Sequence, residues 1–291
     1  MSAIHPINLS TWGGAVPAAA RETVVGALEA GAVLFLPELR FALSTEEQQF
    51  LTPNVVGRSK NVSYDPRSGK LGGMNVAALR VQELRTLMDR FAGATRDLLA
   101  ALLPAYTGGL HQSKTSLRPV EVAGRAQSWR KDDTRLHVDS FPSQPSRGQR
   151  ILRVFTNVNP HGRPRVWKVG EPFEAVARTF WPKLRAPLPG ERGLLAAVRV
   201  TKTVRSRYDH YMLKLHDAMK LDPAYQARFE ASTHPFPAGS TWVCFTDQVS
   251  HAAVSGAHQL EQTFWVDIGV MKNPAAAPLR VLETLAGRKL A

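Results

Sequence analysis

Short strand-like runs separated by turn residues restrict most strongly how this chain can fold. From about residue 115 onward, apolar runs alternate with Pro, Gly and Asn. Such runs predict β-strands. No regular strand–helix–strand rhythm connects them, so a doubly wound parallel sheet is not expected. We expect a double-stranded β-helix, that is, a jelly-roll or cupin-like core, with strands at residues 135–139, 151–158, 165–169, 241–246 and 263–270.

Helical patterns occupy the first hundred residues and two later insertions. Residues 79–103 carry apolar side chains at three-to-four spacing, which is typical of a helix that packs on a core. Ser44 and Glu47 form a capping box for a brief helix. Other helices are predicted at residues 17–30, 174–183, 208–229 and 278–286.

The predicted architecture is α+β and mainly β. We expect a single domain over residues 1–291. Its first part, residues 1–110, is mostly helical and packs on the outside of the barrel. The jelly-roll core spans residues 111–291 and carries a helical insert near residues 171–230.

The charge balance of the chain indicates what kind of partner it binds. Lys and Arg number 37 against 24 Asp and Glu, a net charge of +13. This balance favours an anionic partner, although the basic residues form no long run and no nucleic-acid-binding signature is visible. The single cysteine, Cys244, allows no internal disulfide and is expected to be a buried, inert thiol. No secretory signal or spanning segment is apparent, so we expect a cytoplasmic protein.

A candidate metal site begins at Leu136-His-Val-Asp139. On a strand, residues two apart point to the same face, so His137 and Asp139 are placed to reach one ion. A histidine from a distant strand would complete a set of two histidines and one carboxylate. That set leaves open positions on one side of an iron(II) ion, as an oxygenase needs for a keto acid and O2.

His251 is the preferred third ligand because it follows one apolar strand and precedes another. His258, in a polar turn, is the alternative. Spacing alone also allows His137 and His251 to be ordinary partly buried histidines.

The chain also resembles a known family, the 3-deoxy-D-manno-oct-2-ulosonic acid (Kdo) hydroxylases. The resemblance lies in the Leu136-His-Val-Asp-Ser-Phe-Pro142 segment, the Arg150-Ile-Leu-Arg-Val-Phe-Thr-Asn157 run and the stretches at residues 167–171 and 251–256. It implies a double-stranded β-helix oxygenase that uses Fe(II), 2-oxoglutarate and O2, with His137, Asp139 and His251 as the metal-binding and catalytic residues.

The implied substrate is Kdo-modified lipid A. The resemblance implies hydroxylation of the outer Kdo sugar at C3 to give the octulosonic acid Ko, a modification of lipopolysaccharide. The carboxylate and phosphates of this substrate suit a basic protein that contacts the inner-membrane surface transiently, on its cytoplasmic side. Two alternatives remain: the same chemistry on another acidic substrate such as a nucleic acid, and a non-catalytic barrel that binds sugar or membrane.

The residue that binds the far carboxylate of 2-oxoglutarate is harder to assign. Many 2-oxoglutarate oxygenases use an Arg shortly after the distal His, but residues 252–267 contain neither Arg nor Lys, and Gln262 occupies roughly that place. The preferred candidate is Arg153, whose strand face also carries Phe155 and Asn157. Asn157 is expected to complete the site with Arg153, and Thr156 and Gln262 are further candidates. Lys168 is the second choice for the carboxylate and Arg150 the third.

Substrate-binding residues are predicted mainly in a polar segment, residues 58–73. Its glycines and basic residues predict a loop that closes over the acidic groups of the substrate. The predicted contacts there are Arg58, Lys60 and Tyr64. Arg118 is a further candidate near the entrance of the barrel.

Overall fold

The computed structural model describes residues 4–57, 59–75, 80–125, 127–142, 144–188, 204–229 and 233–291. We number the described elements in chain order. The strands are β1 (Ile4–Pro6), β2 (Val33–Leu36), β3 (Val62–Asp65), β4 (Lys70–Gly72), β5 (Leu110–Arg118), β6 (Arg150–Asn157), β7 (Arg165–Val169), β8 (Thr233–Phe236), β9 (Thr241–Phe245), β10 (His251–Ser255) and β11 (Gln259–Val266). The helices are α1 (Ala18–Glu29), α2 (Thr45–Gln48), α3 (Val81–Leu102), α4 (Phe173–Phe180), α5 (Arg207–Leu221), α6 (Pro223–Arg228) and α7 (Pro278–Ala286).

Two sheets organise the described residues. The larger has the order β1-β2-β9-β6-β11-β5-β3-β4, and the smaller has the order β10-β7-β8. The pairs are antiparallel except for β1 with β2. This is the sheet-rich, jelly-roll type of fold that the sequence predicts.

Period-two alternation gives the central strand β6 two different faces, although all of its residues are buried. Leu152 and Val154 belong to an apolar cluster that also contains side chains of α1 and α3. Arg153 and Phe155 point the other way, into a cavity. Helices therefore cover one face of the large sheet, while the opposite face carries the polar residues of the cavity.

Aromatic rings join the two sheets next to that cavity. Trp167 of the small sheet packs edge to face on Phe155 and Trp242 of the large one, with ring centroids 4.9 and 5.5 Å apart. Trp242 also stacks on Phe236 at 4.1 Å. Packing of this kind holds the two sheets at a set separation, so side chains from both can meet at one site.

Several predicted elements need correction. Residues 59–73 are not a free loop, because β3 and β4 form a hairpin that extends the large sheet through β5. The amino-terminal part, predicted as mostly helical, thus also contributes four strands to that sheet. Residues 135–139 are not a full strand, since His137 makes only an isolated bridge to His251. The helix predicted over residues 208–229 is divided into α5 and α6 at Pro223, which cannot donate a backbone hydrogen bond.

Other local predictions are confirmed. Ser44 and Glu47 make both hydrogen bonds of the capping box. Cys244 is fully buried, and burial raises the pKa of its thiol. Within the described residues, no helix combines the length and the apolar character needed to cross a membrane.

Candidate metal centre and cavity

Backbone pairing brings the predicted metal ligands together across more than a hundred residues of sequence. The amide of His137 donates to the carbonyl of His251 at 3.0 Å, and the amide of His251 donates back at 2.9 Å. The amide of Asp139 donates to the carbonyl of Thr246 at 2.7 Å. His137 thus lies beside β10 of the small sheet, and Asp139 lies beside the residue that follows β9 of the large sheet, so His251 is held next to the other two residues.

The three side chains form a site with the right chemistry for a transition metal. One ligand atom from each of His137, Asp139 and His251 lies within 4.8 Å of the others, and all three residues are buried. Nδ1 of His137 lies 2.7 Å from the carbonyl oxygen of Arg135, and Nδ1 of His251 lies 2.8 Å from that of Val249. Since a carbonyl accepts, each Nδ1 carries the proton and each Nε2 keeps a lone pair for a metal.

The electrostatics favour the metal-binding protonation states. Burial lowers the pKa of His137 to about 3 and also lowers that of His251, so both rings are neutral at physiological pH. Burial opposes the charge of Asp139, but the guanidinium of Arg153 outweighs it and holds the pKa of Asp139 well below its usual range. Two neutral imidazoles and one carboxylate suit Fe(II).

A chain of ion pairs extends behind Asp139. Arg153 donates from Nη1 to Oδ2 of Asp139 at 2.9 Å and from Nη2 to Glu261. Arg118 donates to the same Glu261 carboxylate, at 2.7 Å from Nε and 3.1 Å from Nη2, and its Nη1 reaches Asp133 at 3.3 Å. Lys60 also contacts Asp133. Both guanidiniums of this chain are therefore already paired with protein carboxylates.

The candidate metal site opens into a cavity of about 550 Å³. Strands β6, β7, β10 and β11 line one side of it, and α5 lines another. Trp167 stacks on His251 with ring centroids 4.9 Å apart, whereas His216 packs edge to face on His137 at 5.3 Å. Each ligand ring is thus covered by a different wall of the cavity, which keeps the ring oriented.

Of the five residues predicted to bind 2-oxoglutarate, the structure brings only Arg153 to the cavity wall. Asn157 donates to the carbonyls of Arg163 and Phe236, and Thr156 shares a hydrogen bond with Thr241. Lys168 and Gln262 alternate with cavity-lining neighbours and so point to the opposite faces of their strands. Arg150, the third choice, is fully buried and pairs with Asp247.

Only some of the residues predicted to bind the substrate lie at the cavity. Lys60 and Arg118 line the cavity. Tyr64 is buried in the cluster around α3 instead, where its hydroxyl donates to Asp89 at 2.8 Å. Arg58 lies outside the described residues. The alternative ligand His258 lies apart from the ligand cluster, in a turn where it faces His161.

Sequence reasoning missed Arg165, which is 2% exposed and lines the cavity. Its Nη1 donates to the carbonyl of Gly256, and no carboxylate of the described residues lies within ion-pair distance. Its Nε is buried without a partner, as is Nε1 of Trp167 two residues later on the same face. Burial lowers the pKa of Arg165 to about 10. Period two in residues 165–169 was the available signal, because it places Arg165 and Trp167 together.

Sequence reasoning also missed the wall formed by α5. Leu213, His216, Asp217 and Lys220 all line the cavity. Their spacing of three and four residues puts them on one helical face. That pattern was readable in the sequence, but nothing local indicated that this face turns towards the metal ligands.

The chain is similar to known proteins over nearly its whole length. The family model described as 3-deoxy-D-manno-oct-2-ulosonic acid (Kdo) hydroxylase matches residues 11–289. The crystal structure of the Kdo hydroxylase KdoO in complex with α-ketoglutarate and Fe(III) has a TM-score of 0.95 and 46% identity, over 99% of this chain and 97% of that chain. KdoO without ligands gives a TM-score of 0.96 and 47% identity over the same shares. A search of curated proteins found no match.

Proposed function

This chain belongs to the Kdo hydroxylase family, and from that membership we propose that its cavity acts on Kdo-modified lipid A, hydroxylating the outer Kdo at C3 to give Ko. The activity is that of a non-haem iron(II), 2-oxoglutarate-dependent dioxygenase that hydroxylates Kdo, with O2 as cosubstrate. The lipid, the carbon atom and the roles of individual residues are the proposed part.

His137, Asp139 and His251 would hold the iron. The observation that carries this assignment is the convergence of two Nε2 lone pairs and one carboxylate, all buried and within 4.8 Å of one another. When bound, iron(II) with 2-oxoglutarate activates O2, so that one oxygen atom enters succinate, the other enters the sugar hydroxyl, and CO2 leaves.

Arg165 would bind the far carboxylate of 2-oxoglutarate. Three buried or half-buried arginines are described in the cavity lining, and Arg118 and Arg153 are paired with carboxylates. The guanidinium of Arg165 has no carboxylate partner among the described residues. Arg165 Nε and Trp167 Nε1 are two buried donors that lack acceptors on the same wall. A carboxylate supplies acceptors for both and neutralises a charge that is otherwise costly to bury. Trp167 also stacks on His251, which places this wall beside the metal.

The basic character of the chain suits an acidic, membrane-bound substrate. The net charge is +13, and Lys60, Arg130 and Lys131 line the more exposed part of the cavity. Such residues are suited to the phosphates of lipid A, and a basic surface attracts the anionic lipids around it. We place the enzyme on the cytoplasmic face of the inner membrane, in transient contact.

One comparison of substrates tests this proposal. Purified protein receives Fe(II), 2-oxoglutarate and O2 with Kdo-modified lipid A or with single-stranded nucleic acid. We expect succinate release coupled to the gain of one oxygen atom by the Kdo sugar, with no coupled product from nucleic acid. Coupled oxidation of nucleic acid without oxidation of Kdo would overturn it.

A further inference from the structure

A second buried cation lines the cavity, on α5 and not on the strand that carries Arg165. Lys220 lies at the end of α5 and is 1% exposed. Its Nζ donates to the carbonyl of Arg130 at 3.0 Å. An ammonium has three hydrogens to donate, and this is the one acceptor found for it in the described part of the chain.

Lys220 also lacks a carboxylate within 4.0 Å among the described residues. Burial lowers the pKa of its ammonium, against the attraction of Asp133 and Asp139. A buried charge without a hydrogen-bonded counter-ion is costly, and such a position is suited to a ligand that brings the missing negative charge.

The other buried cations of the cavity already have partners. Arg153 is bound by Asp139 and Glu261, and Arg118 by Glu261 and Asp133. Arg165 is assigned above to 2-oxoglutarate. Among the described residues that line the cavity, Lys220 is thus the buried cation still available for a second anionic ligand.

The position of Lys220 relative to the metal site fits the chemistry of the sugar. His216 lies one helical turn earlier on the same face of α5, and its ring packs on that of the metal ligand His137. Nδ1 of His216 lies 3.0 Å from Oδ1 of Asp217, which holds the ring against that of His137. In Kdo, the carboxylate is attached to C2, the neighbour of C3. A group that holds this carboxylate must therefore lie close to the metal, as the wall of His216 and Lys220 does.

We propose that Lys220 binds the carboxylate of the Kdo sugar and so sets C3 at the metal. This rests on the proposed function and deepens it. The cavity then has two anion subsites, one beside each histidine ligand. Arg165, next to the His251 side, takes the cosubstrate, and Lys220, next to the His137 side, takes the substrate. The division explains how one small cavity distinguishes two carboxylates.

The test compares Lys220→Met with Lys214→Met in the intact, iron-loaded enzyme. Lys214 is exposed on the same helix and does not line the cavity, so its replacement controls for loss of one charge. We expect Lys220→Met to raise KM for Kdo-modified lipid A about tenfold or more, as the loss of a charged hydrogen-bond partner implies. KM for 2-oxoglutarate and succinate formation without substrate should stay near the wild-type values, and Lys220→Arg should recover part of the loss.

A substrate with esterified carboxylates tests which group Lys220 binds. Methyl esters on the sugar carboxylates should weaken binding to the wild type, but they should weaken binding to the Lys220→Met variant little further. If the variant still distinguished acid from ester as strongly as the wild type, or if KM for 2-oxoglutarate rose in place of KM for the sugar, the assignment would be wrong. The anaerobic charge-transfer band of Fe(II) with 2-oxoglutarate reports that the variant is folded and loaded. Absence of Kdo turnover in the wild type would instead refute the proposed function.

Discussion

Arg153 holds one oxygen of the candidate metal ligand Asp139. Its Nη1 lies 2.9 Å from Oδ2 of Asp139, while Oδ1 lies 3.6 Å from Nε2 of His137. One carboxylate oxygen is thus bound to the protein and the other faces the second ligand. We infer that Arg153 is a positioning residue, which would orient the carboxylate of Asp139 towards the candidate metal site.

Replacement of Arg153 should therefore weaken metal binding. Arg153→Met leaves Asp139 without its partner, and we expect iron(II) affinity to fall about 10- to 100-fold, the usual cost of losing a residue that orients a ligand. Titration of the apo enzyme with Fe(II) under anaerobic conditions measures it. Arg178→Met, at an exposed ion pair on α4, is the control. Unchanged iron affinity with a higher requirement for 2-oxoglutarate would return Arg153 to the role predicted from sequence.

Each of the three proposed ligands should be essential for turnover. Alanine at His137, Asp139 or His251 removes one donor from the site, so coupled hydroxylation should be lost while the far-ultraviolet circular dichroism remains native. His258→Ala is the matched control, because His258 lies outside the ligand cluster. Loss of activity in His258→Ala, with activity retained in His251→Ala, would exchange the two assignments.

Arg165→Met should raise KM for 2-oxoglutarate about tenfold or more, because a charged hydrogen-bond partner is lost. Removing an unpaired buried charge should also leave the melting temperature of the apo enzyme equal to or above that of the wild type. Added 2-oxoglutarate should then stabilise the variant less. Lys168→Met, three residues later on the outward face of β7, should change none of these values. A normal 2-oxoglutarate requirement in Arg165→Met would remove Arg165 from the site.

Lys60 offers a test of the substrate end of the cavity. Lys60→Glu places a second carboxylate beside Asp133, where Lys60 now forms an ion pair. We expect a higher KM for Kdo-modified lipid A, since like charges repel, with substrate-independent decarboxylation of 2-oxoglutarate retained. Lys70→Glu makes the same charge change at an exposed position of β4 and is the control. Equal KM values in the two variants would exclude Lys60 from substrate binding.

The pH dependence should reveal the protonation of Lys220. The groups that act on its ammonium include Asp132, Asp133, Asp139 and Lys60, and burial makes the net shift of its pKa downward. Its proton is therefore lost at a lower pH than that of an ordinary lysine. The ratio kcat/KM for the Kdo substrate should decline on the alkaline side, and Lys220→Arg should move that decline to higher pH, because arginine stays protonated. An identical alkaline limb in both proteins would assign the decline to another group.

Local patterns in the sequence determined several elements of the fold and the placement of several residues of the candidate site. The His-Val-Asp spacing placed His137 and Asp139, two proposed ligands, side by side. The capping box at Ser44 formed as predicted, and the alternation in β6 turned Arg153 towards the cavity. These features depend on neighbours a few residues away, so the sequence contains the information directly.

Only the tertiary structure decided which cations are free to bind a ligand. Arg153 lines the cavity, and its assignment to 2-oxoglutarate stays a prediction, but it is already paired with Glu261, 108 residues away. Arg165 and Lys220 lie on separate elements, β7 and α5, and meet no such carboxylate among the described residues. Whether a buried charge is already neutralised depends on distances of a few ångströms between segments remote in sequence. No local pattern carries that information.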